Sequence, residues 1–447
     1  MRPPFSRNLP RLNFSFVNWK FVVTVALVIF YIGLFARTIS SGGLNSIIGD
    51  DFVGYWSVGK IANEQGYSKI YDLPALRQVQ QGELIRLGYL GGNGATEYSP
   101  VPVAYLPVFI LPLQVFARLP LQSSYWLWNG LNLLALIGYL AFFLHQAGSA
   151  EGTSYNNLRL LILSVFSYAT ISNLFSGQIN VLLVISMGEV LRAALRGKPF
   201  LSGLWLGVLL IKPQLLILLI PFFIVCKEWK VLRGFILSSA GILLGSWLLS
   251  GPLGLRALVE LLLGYTAGLP TNEPIIMANW RMLGLVINQA FNTNIGWLLV
   301  LIGSLLTLIW AFRLMRLRPP FGSPTWVTTL LGLSAASLAL SWHTHFYMTM
   351  VLIPLLLFVV QKHAFPEGLY YVWVGLIPPV WLCALTLEKI NPTILTLFPK
   401  FPQTLIAIAG LLMNLFLLIY CVKKAGREDQ ANKLCHLTEI IENVHGE

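Results

Sequence analysis

The sequence predicts an all-α fold, a polytopic transmembrane bundle of about twelve helices. Hydrophobic residues make up 56% of the 447 residues and charged residues only 11%, whereas a water-soluble chain carries about 25% charged residues. Apolar stretches of about 20 residues, the length that crosses a bilayer as a helix, recur from one end of the sequence to the other. Together these two observations exclude a soluble globular protein.

The bundle is predicted to be a single integral-membrane domain over residues 1–422, followed by a cytoplasmic tail over residues 423–447. An even number of spans places both termini on one side of the membrane. The predicted spans lie near residues 19–37, 101–118, 124–146, 158–175, 179–196, 201–225, 234–251, 296–312, 325–342, 346–361, 368–386 and 402–422.

The orientation of the bundle follows from its basic residues. Lys and Arg number 30 against 18 Asp and Glu, and their excess near the ends of spans marks the cytoplasmic face. If successive spans alternate strictly in direction, the basic residues of several later connections and of the tail lie on the same side of the membrane as the N-terminal arm. These are Lys227, Lys230, Arg233, Arg313, Arg316, Arg318, Lys362, Lys423, Lys424 and Arg427. Arg192, Arg196 and Lys198 disagree, since alternation places them on the outer face. The positive charge thus reports membrane topology, and nucleic acid is not an expected partner.

Two long outer connections, at residues 39–100 and 252–295, can hold an extracytoplasmic site. Apolar residues recur at helical spacing within residues 55–64, 74–87 and 253–265. This pattern predicts amphipathic helices that lie flat at the membrane interface.

Asp50 and Asp51 are the candidate catalytic residues. They form the only adjacent pair of carboxylates between membrane-length apolar segments, and the aromatic residues Tyr55 and Trp56 follow them. Solvated loop charges, or an N-cap for a helix starting near Val53, would be the structural alternative. Because the loop is held between membrane segments, we expect at least one of the two carboxylates to act as a catalytic base.

Three further side chains have the chemistry to bind an anion. His343 and His345 lie two residues apart at an outer junction of spans, where an aromatic belt is the alternative interpretation and a metal site would need another ligand. Lys212 is the one lysine deep in an apolar run, where a buried cation is costly unless it meets an anion. Snorkelling of Lys212 to the interface is its structural alternative.

Gln178 and Arg281 complete the candidates that the residues themselves suggest. Gln178 lies in a short polar break between two spans, and Arg281 in the second outer loop offers a guanidinium suited to a phosphate, or to lipid headgroups. The sequence contains no glycine-rich phosphate loop, which argues against direct use of a nucleotide sugar.

In this order, these motifs resemble the GT-C superfamily of polytopic glycosyltransferases, and most closely glycosyltransferase family 87, over residues 19 to 365. The family includes mannosyltransferases that use polyprenyl-phosphate-mannose. The resemblance is carried by Asp51 with Tyr55, a Gly66–Asp72 turn one residue longer than the family pattern, Tyr98-Ser99-Pro100, Trp126 with Asn129, Gly177–Asn180, Ile211-Lys212-Pro213, Asn279-Trp280-Arg281 and Trp342–His345. The last motif lacks the adjacent His-His pair of many members, so the histidine that takes that role stays open.

The resemblance implies an inverting glycosyltransferase that moves mannose, another hexose or a pentose from a polyprenyl-phosphate-sugar donor to a hydroxyl of a lipid or glycan acceptor. It implies an outward-facing site at a bacterial cytoplasmic membrane, with an acidic residue of the first outer loop as the base. Asp51 fits the family's spacing to Tyr55, and Asp50 is the second choice. The residues expected to bind the donor phosphate or substrate are Lys212, His343, His345, Arg281, Gln178, Asn279, Tyr55 and Tyr98. No cofactor and no metal ligands are predicted, and a requirement for a divalent metal stays open.

A multi-pass transporter or flippase of a lipid-linked or polar substrate is the alternative function. Such a protein would show two related halves, each with a broken helix near the midplane. Here the polar groups gather in outer loops of unequal length, which favours the transferase.

Overall fold

The computed structural model describes residues 19–42, 48–89, 98–147, 154–267, 274–392 and 400–445. Within these ranges the chain forms helices and no strand, and only an isolated antiparallel bridge joins Met277 to His345. The predicted all-α polytopic class is therefore confirmed.

Eighteen α-helices, α1 to α18, follow one another along the described ranges. In chain order they are Trp19–Gly42, Asp50–Glu64, Leu73–Arg86, Leu111–Phe116, Leu121–Ala147, Ser154–Val165, Tyr168–Ser176, Asn180–Leu195, Pro199–Val208, Leu219–Val225, Trp229–Ala267, Trp280–Phe291, Ile295–Arg316, Pro324–Leu340, Ile353–Gln361, Glu367–Gly375, Ile377–Ile390 and Phe401–His445. Short 3-10 helices lie at Tyr67–Lys69, Pro107–Ile110, Leu209–Ile211, Pro213–Leu216, Pro274–Ile276 and Phe346–Leu352.

Six helices of the described chain are long and apolar enough to cross a membrane, and a seventh span results if α6 and α7, bent by 45°, count as one. The six are α1, α5, α11, α13, the α16–α17 pair and α18. Shorter apolar helices at Pro107–Phe116, Pro199–Ile211, Pro213–Val225, Pro324–Leu340 and Phe346–Gln361 occupy most of the other predicted spans. Helix α18 continues without a break from Phe401 to His445, so the predicted tail at residues 423–447 begins inside it.

One end of the bundle collects basic side chains and is called the basic end below. Glu367 accepts hydrogen bonds from both Lys20 and Arg159 there. The Arg196 Nη2 atom donates to Gln146 Oε1 over 3.3 Å. Gln361 Nε2 connects the two groups, because it donates to the Leu144 carbonyl of α5 and to Asn157 Oδ1 of α6. The starts of α1, α6 and α16 therefore lie at the same end as the ends of α5 and α8.

The segment at residues 101–118 does not cross the bundle, contrary to the sequence prediction. At its start, the Val101 carbonyl accepts a hydrogen bond of 2.8 Å from Gln80 Nε2. Beyond its end, the Leu119 carbonyl accepts one of 2.9 Å from Trp56 Nε1. Both ends therefore pack on α2 and α3. The prolines of this segment remove backbone donors, and the chain forms only a 3-10 turn and the short helix α4 instead of a full span.

The predicted span at residues 201–225 is a hairpin with Lys212 at its tip. Lys212 separates two 3-10 turns, because the following proline prevents a continuous helix. One arm starts beside the basic end, where Gly203 packs directly on the Val231 carbonyl, and the other returns to pack Phe222 and Phe223 on Trp326.

These two departures change the topology assigned to the middle of the chain. Since residues 101–118 do not cross, the direction of each span from α5 to α8 is reversed, and the hairpin restores the original alternation after it. Arg192, Arg196 and Lys198 thereby reach the basic end. Their disagreement with the other basic residues is therefore removed.

Helix α2 is buried, and its position depends on two glycines. All residues from Phe52 to Gly59 are buried, so protein covers α2 on every side, unlike a helix that lies flat on a membrane surface. A Cβ atom at Gly49 would lie 2.4 Å from the Phe175 carbonyl oxygen, and one at Gly177 would lie 2.5 Å from Phe52 Cβ. Only glycine permits this approach, which brings the first turn of α2 against the turn after α7.

Candidate active site

Four segments meet at the end of the bundle opposite the basic end: the first turn of α2, the turn after α7, the hairpin tip and residues 341–347. The turn after α7 is fixed by local chemistry. Gly177 ends the helix in the left-handed conformation with φ of 67°, which glycine adopts without steric cost. The Trp128 Nε1 atom donates to its carbonyl over 2.8 Å. The next side chain, Gln178, is thereby held inside the bundle.

The Gln178 amide is the centre of a buried hydrogen-bond network. Its Oε1 atom accepts from Tyr55 Oη at 2.6 Å, from Lys212 Nζ at 3.1 Å and from Tyr105 Oη at 3.3 Å. Its Nε2 atom donates to Tyr347 Oη over 3.1 Å. One neutral side chain thus joins the turn after α7 to α2, to the hairpin tip and to residues 341–347.

Asp51 lies beside this network, and Asp50 does not. Tyr347 Oη donates to Asp51 Oδ2 over 3.4 Å. Burial raises the pKa of the Asp51 carboxyl above its ordinary value, although a hydrogen bond from Gln178, the charge of Lys212 and the Tyr347 hydroxyl oppose the shift. Asp50, one residue earlier, is exposed on the first turn of α2. The structure therefore separates the two carboxylates that the sequence placed side by side.

Lys212 is a buried cation surrounded by an amide oxygen and aromatic rings. The residue is 5% exposed, and its Nζ atom lies 5.0 Å from the ring centroid of Tyr347 and 6.0 Å from that of Tyr105. Burial lowers the pKa of Lys212 to about 7, whereas the nearby Asp51 charge opposes that shift and the aromatic rings favour the ammonium form. These contacts hold the ammonium group at the site and not at a membrane interface, which disfavours snorkelling.

The two histidines face the same region from residues 341–345. Their ring centroids are 5.0 Å apart, and the His345 ring stacks on Tyr347 at 5.2 Å. Burial and the charge of Lys212 lower the pKa of His345 to about 4. Burial, His345 and the nearby cations lower the pKa of His343 well below its ordinary value. Both rings are therefore neutral near pH 7 and can donate a hydrogen bond from only one nitrogen each.

Arg281 reaches the histidine segment from the second outer loop. A backbone bond of 2.7 Å from Ala278 N to the Thr344 carbonyl joins the two segments. The Arg281 guanidinium stacks over the Trp342 ring at 4.3 Å, and its Nε atom is buried without a hydrogen-bond partner. Asn279 caps α12 by accepting from Met282 N over 2.9 Å, which orients the first turn that carries Arg281.

The cluster contains residues that the sequence analysis did not select and leaves others at its edge. The sequence analysis selected neither Tyr105 nor Tyr347, because neither shows a pattern that distinguishes a site tyrosine from an interfacial one. Tyr98 donates to Gln80 Oε1 over 2.8 Å and lies near the charge of Asp50. Within the described part of the chain, no group of three His, Cys, Asp or Glu side chains is close enough to hold a metal ion.

Comparisons with known proteins place the sequence of the chain in a family. No curated protein and no solved structure matches the chain significantly. The sequence model of glycosyltransferase family 87 matches residues 104–341, more than half of the chain. The match includes Gln178, Lys212 and Arg281, and it begins after Asp51 and ends before His343. The chain belongs to glycosyltransferase family 87.

Proposed function

We propose that this membrane glycosyltransferase moves a sugar from a polyprenyl-phosphate-sugar donor to an acceptor hydroxyl on the extracytoplasmic face, with inversion and with Asp51 as the general base. The observation that carries the proposal is the meeting of one carboxylate, one buried ammonium and two neutral imidazoles in a single cluster. A glycosyl phosphate already carries a good leaving group. The protein must therefore deprotonate the acceptor, align the donor and stabilise the departing phosphate.

Asp51 supports the first of these tasks. Its raised pKa makes it a stronger base than an ordinary carboxylate, and the contacts of Lys212 and Gln178 favour the ionised form that can accept a proton. A single carboxylate that activates the acceptor for direct displacement gives inversion at the anomeric carbon. The carboxylate needs to lie within about 3 Å of the acceptor hydroxyl in the reactive complex.

Lys212, Arg281 and the histidines support the third task. Lys212 is already desolvated, so a phosphate replaces no water shell when it meets the ammonium, and the attraction in a buried site is strong. The buried Nε atom of Arg281 has no hydrogen-bond partner among the described residues, so its N–H group can donate to a phosphate oxygen. The neutral imidazoles of His343 and His345 can each add one N–H donor.

Gln178 has a positioning role in this proposal instead of the phosphate contact predicted from the sequence. Its Oε1 atom already accepts from three donors, and a carbonyl oxygen cannot bind a phosphate oxygen, since both are acceptors. Asn279 is likewise engaged as an N-cap and positions Arg281. Tyr55 orients Gln178, and Tyr98 lies beside Asp50 at the edge.

The extracytoplasmic location rests on charge. The cluster lies at the end of the bundle opposite Lys20, Arg159 and Arg196, and short basic connections favour the cytoplasm. In a bacterial cytoplasmic membrane, the site would then face outward.

Reconstitution tests the proposed reaction and separates it from transport. Purified protein in liposomes is given β-linked polyprenyl-phosphate-mannose and related donors together with an alkyl glycoside acceptor. We expect acceptor-dependent release of polyprenyl phosphate and an α-linked product, and no product with Asp51→Asn. Movement of the intact lipid-linked sugar across the bilayer without transfer would instead establish the flippase.

A further inference from the structure

A cavity lies between α1, α5 and the bent pair α6–α7, outside the Asp51 cluster. Its volume is about 340 Å³, and Tyr31, Phe35, Trp126, Gly130 and Phe175 are among its lining residues. Small-molecule pockets in proteins range over about 300–1,000 Å³. The cavity is therefore large enough for part of a ligand.

The walls of this cavity suit a hydrocarbon chain. The lining is almost wholly apolar, and the Tyr125 hydroxyl is engaged with the backbone carbonyls of Leu174 and Phe175. Ile32 and Phe35 are 55% and 38% exposed on the outer surface of α1. In a membrane such a surface faces lipid, which gives a chain a lateral way in.

The position of the cavity connects it to Asp51 and not to the phosphate-binding side. Its wall includes the last turn of α7, where the Phe175 carbonyl touches Gly49, and Tyr125 packs edge-on against Phe52 with ring centroids 5.4 Å apart. Only this layer separates the cavity from the first turn of α2. Lys212 and its hydrogen-bond partners do not line it.

We propose that this cavity holds the hydrocarbon chain of a lipid-anchored acceptor, whose head group then presents its hydroxyl to Asp51. This inference rests on the proposed function and narrows it, because it makes the acceptor a glycolipid-like molecule and not a soluble glycan. The donor's chain is expected elsewhere, since the donor phosphate belongs beside Lys212 on the other side of the carboxylate.

Two exposed glycines of α5 provide a matched pair of variants. Gly130 lines the cavity, whereas Gly138, eight residues further along the same helix, does not. A Cβ atom at either position meets no atom within 4 Å. Gly130→Leu and Gly138→Leu therefore add the same side chain to the same helix without a backbone clash, and both remove a helix-weakening glycine. Only Gly130→Leu fills the cavity.

The first readout is binding and does not depend on activity. The probe is a long-chain alkyl glycoside with a diazirine at the end of its chain, photolysed with the full-length protein in nanodiscs. We expect crosslinks to cavity residues such as Tyr31 and Trp126, lost in Gly130→Leu and kept in Gly138→Leu. Crosslinks that map away from the cavity in the unsubstituted protein overturn the proposal. The proposal also fails if phosphatidylcholine suppresses the crosslinks as well as an unlabelled alkyl glycoside does, because the cavity would then hold bulk lipid. It fails too if polyprenyl phosphate is the one competitor that suppresses them, because the cavity would then belong to the donor.

The second readout compares a long-chain and a short-chain alkyl glycoside with the same head group as acceptors. Gly130→Leu should lower kcat/KM for the long-chain acceptor roughly 10²-fold, the loss expected when a substrate is held about 1 Å out of place, and leave the short-chain acceptor nearly unchanged. Equal loss for both acceptors overturns the inference. If neither acceptor is glycosylated while the crosslinks appear as expected, the proposed reaction fails and the chain-binding site stands.

Discussion

The substitution Asp51→Asn, with Asp50→Asn as its control, tests the centre of the mechanism. Asparagine keeps the shape of the side chain and an oxygen that can accept from Tyr347, but it cannot take a proton from an acceptor hydroxyl. Both carboxylates lie in the first turn of α2, where a negative charge stabilises the helix by about 0.3–1 kcal/mol. The control variant therefore loses the same helix contribution without touching the cluster.

The expected loss follows from the environment of the two carboxylates. Loss of a general base costs roughly 10²–10⁴ in rate, which is about 2.7–5.4 kcal/mol of transition-state stabilisation at 1.36 kcal/mol per tenfold. We expect the full loss in kcat/KM for Asp51→Asn. Asp50 is exposed, so Asp50→Asn should change kcat/KM less than about threefold, in line with the small effect of an exposed charge.

The assay measures sugar transfer from a polyprenyl-phosphate-sugar to an alkyl glycoside, donor binding and thermal unfolding for each variant. Donor affinity and the unfolding midpoint should stay close to those of the unsubstituted protein in Asp51→Asn, because the change removes basicity and not shape. If Asp50→Asn is the inactive variant, the assignment of the base is wrong and the mechanism stands. If both variants transfer sugar at the normal rate, neither carboxylate is the base and the reasoning is refuted.

Three further outcomes are expected from the described geometry. Because burial raises the pKa of Asp51, the acidic limb of the pH profile, where kcat/KM falls as the pH drops, should lie above the ordinary carboxyl range. Lys212→Met removes a charge that opposes this pKa shift, so it should move the acidic limb to higher pH and weaken donor binding at least about tenfold. An unmoved acidic limb together with an unchanged donor affinity would contradict the phosphate role of Lys212. Gln178→Leu leaves the buried donors around its Oε1 atom without an acceptor, at about 1–3 kcal/mol each, so kcat and the unfolding temperature should both fall, whereas a lower donor affinity alone would indicate a direct phosphate contact. In a background without the four native cysteines, Glu64→Cys should react with an impermeant maleimide added outside intact cells. Lys198→Cys should react only after the cells are permeabilised, and the same accessibility for both variants would refute the topology.

The sequence determined the class of the protein and the chemistry of its site. Hydropathy alone fixes the all-α polytopic fold, since in a bilayer the backbone polar groups must be satisfied within each helix. Ionisable residues between or within apolar segments, such as Asp51 and Lys212, are costly in a membrane and are seldom kept without a function, and for that reason the sequence marked them as candidates. The family resemblance, which the match over residues 104–341 confirms, follows from the same motifs.

The tertiary structure decided which of these groups meet. Hydropathy does not distinguish an apolar segment that folds back from one that crosses the membrane. It therefore could not show that residues 101–118 do not cross or that the chain forms a hairpin at Lys212. Asp50 and Asp51 are equivalent in composition, and only the close approach of Gly49 and Gly177 turns one of them toward Gln178. The role of Gln178 itself arises from donors on three distant segments, and contacts between residues so far apart in sequence follow from packing and not from any local pattern.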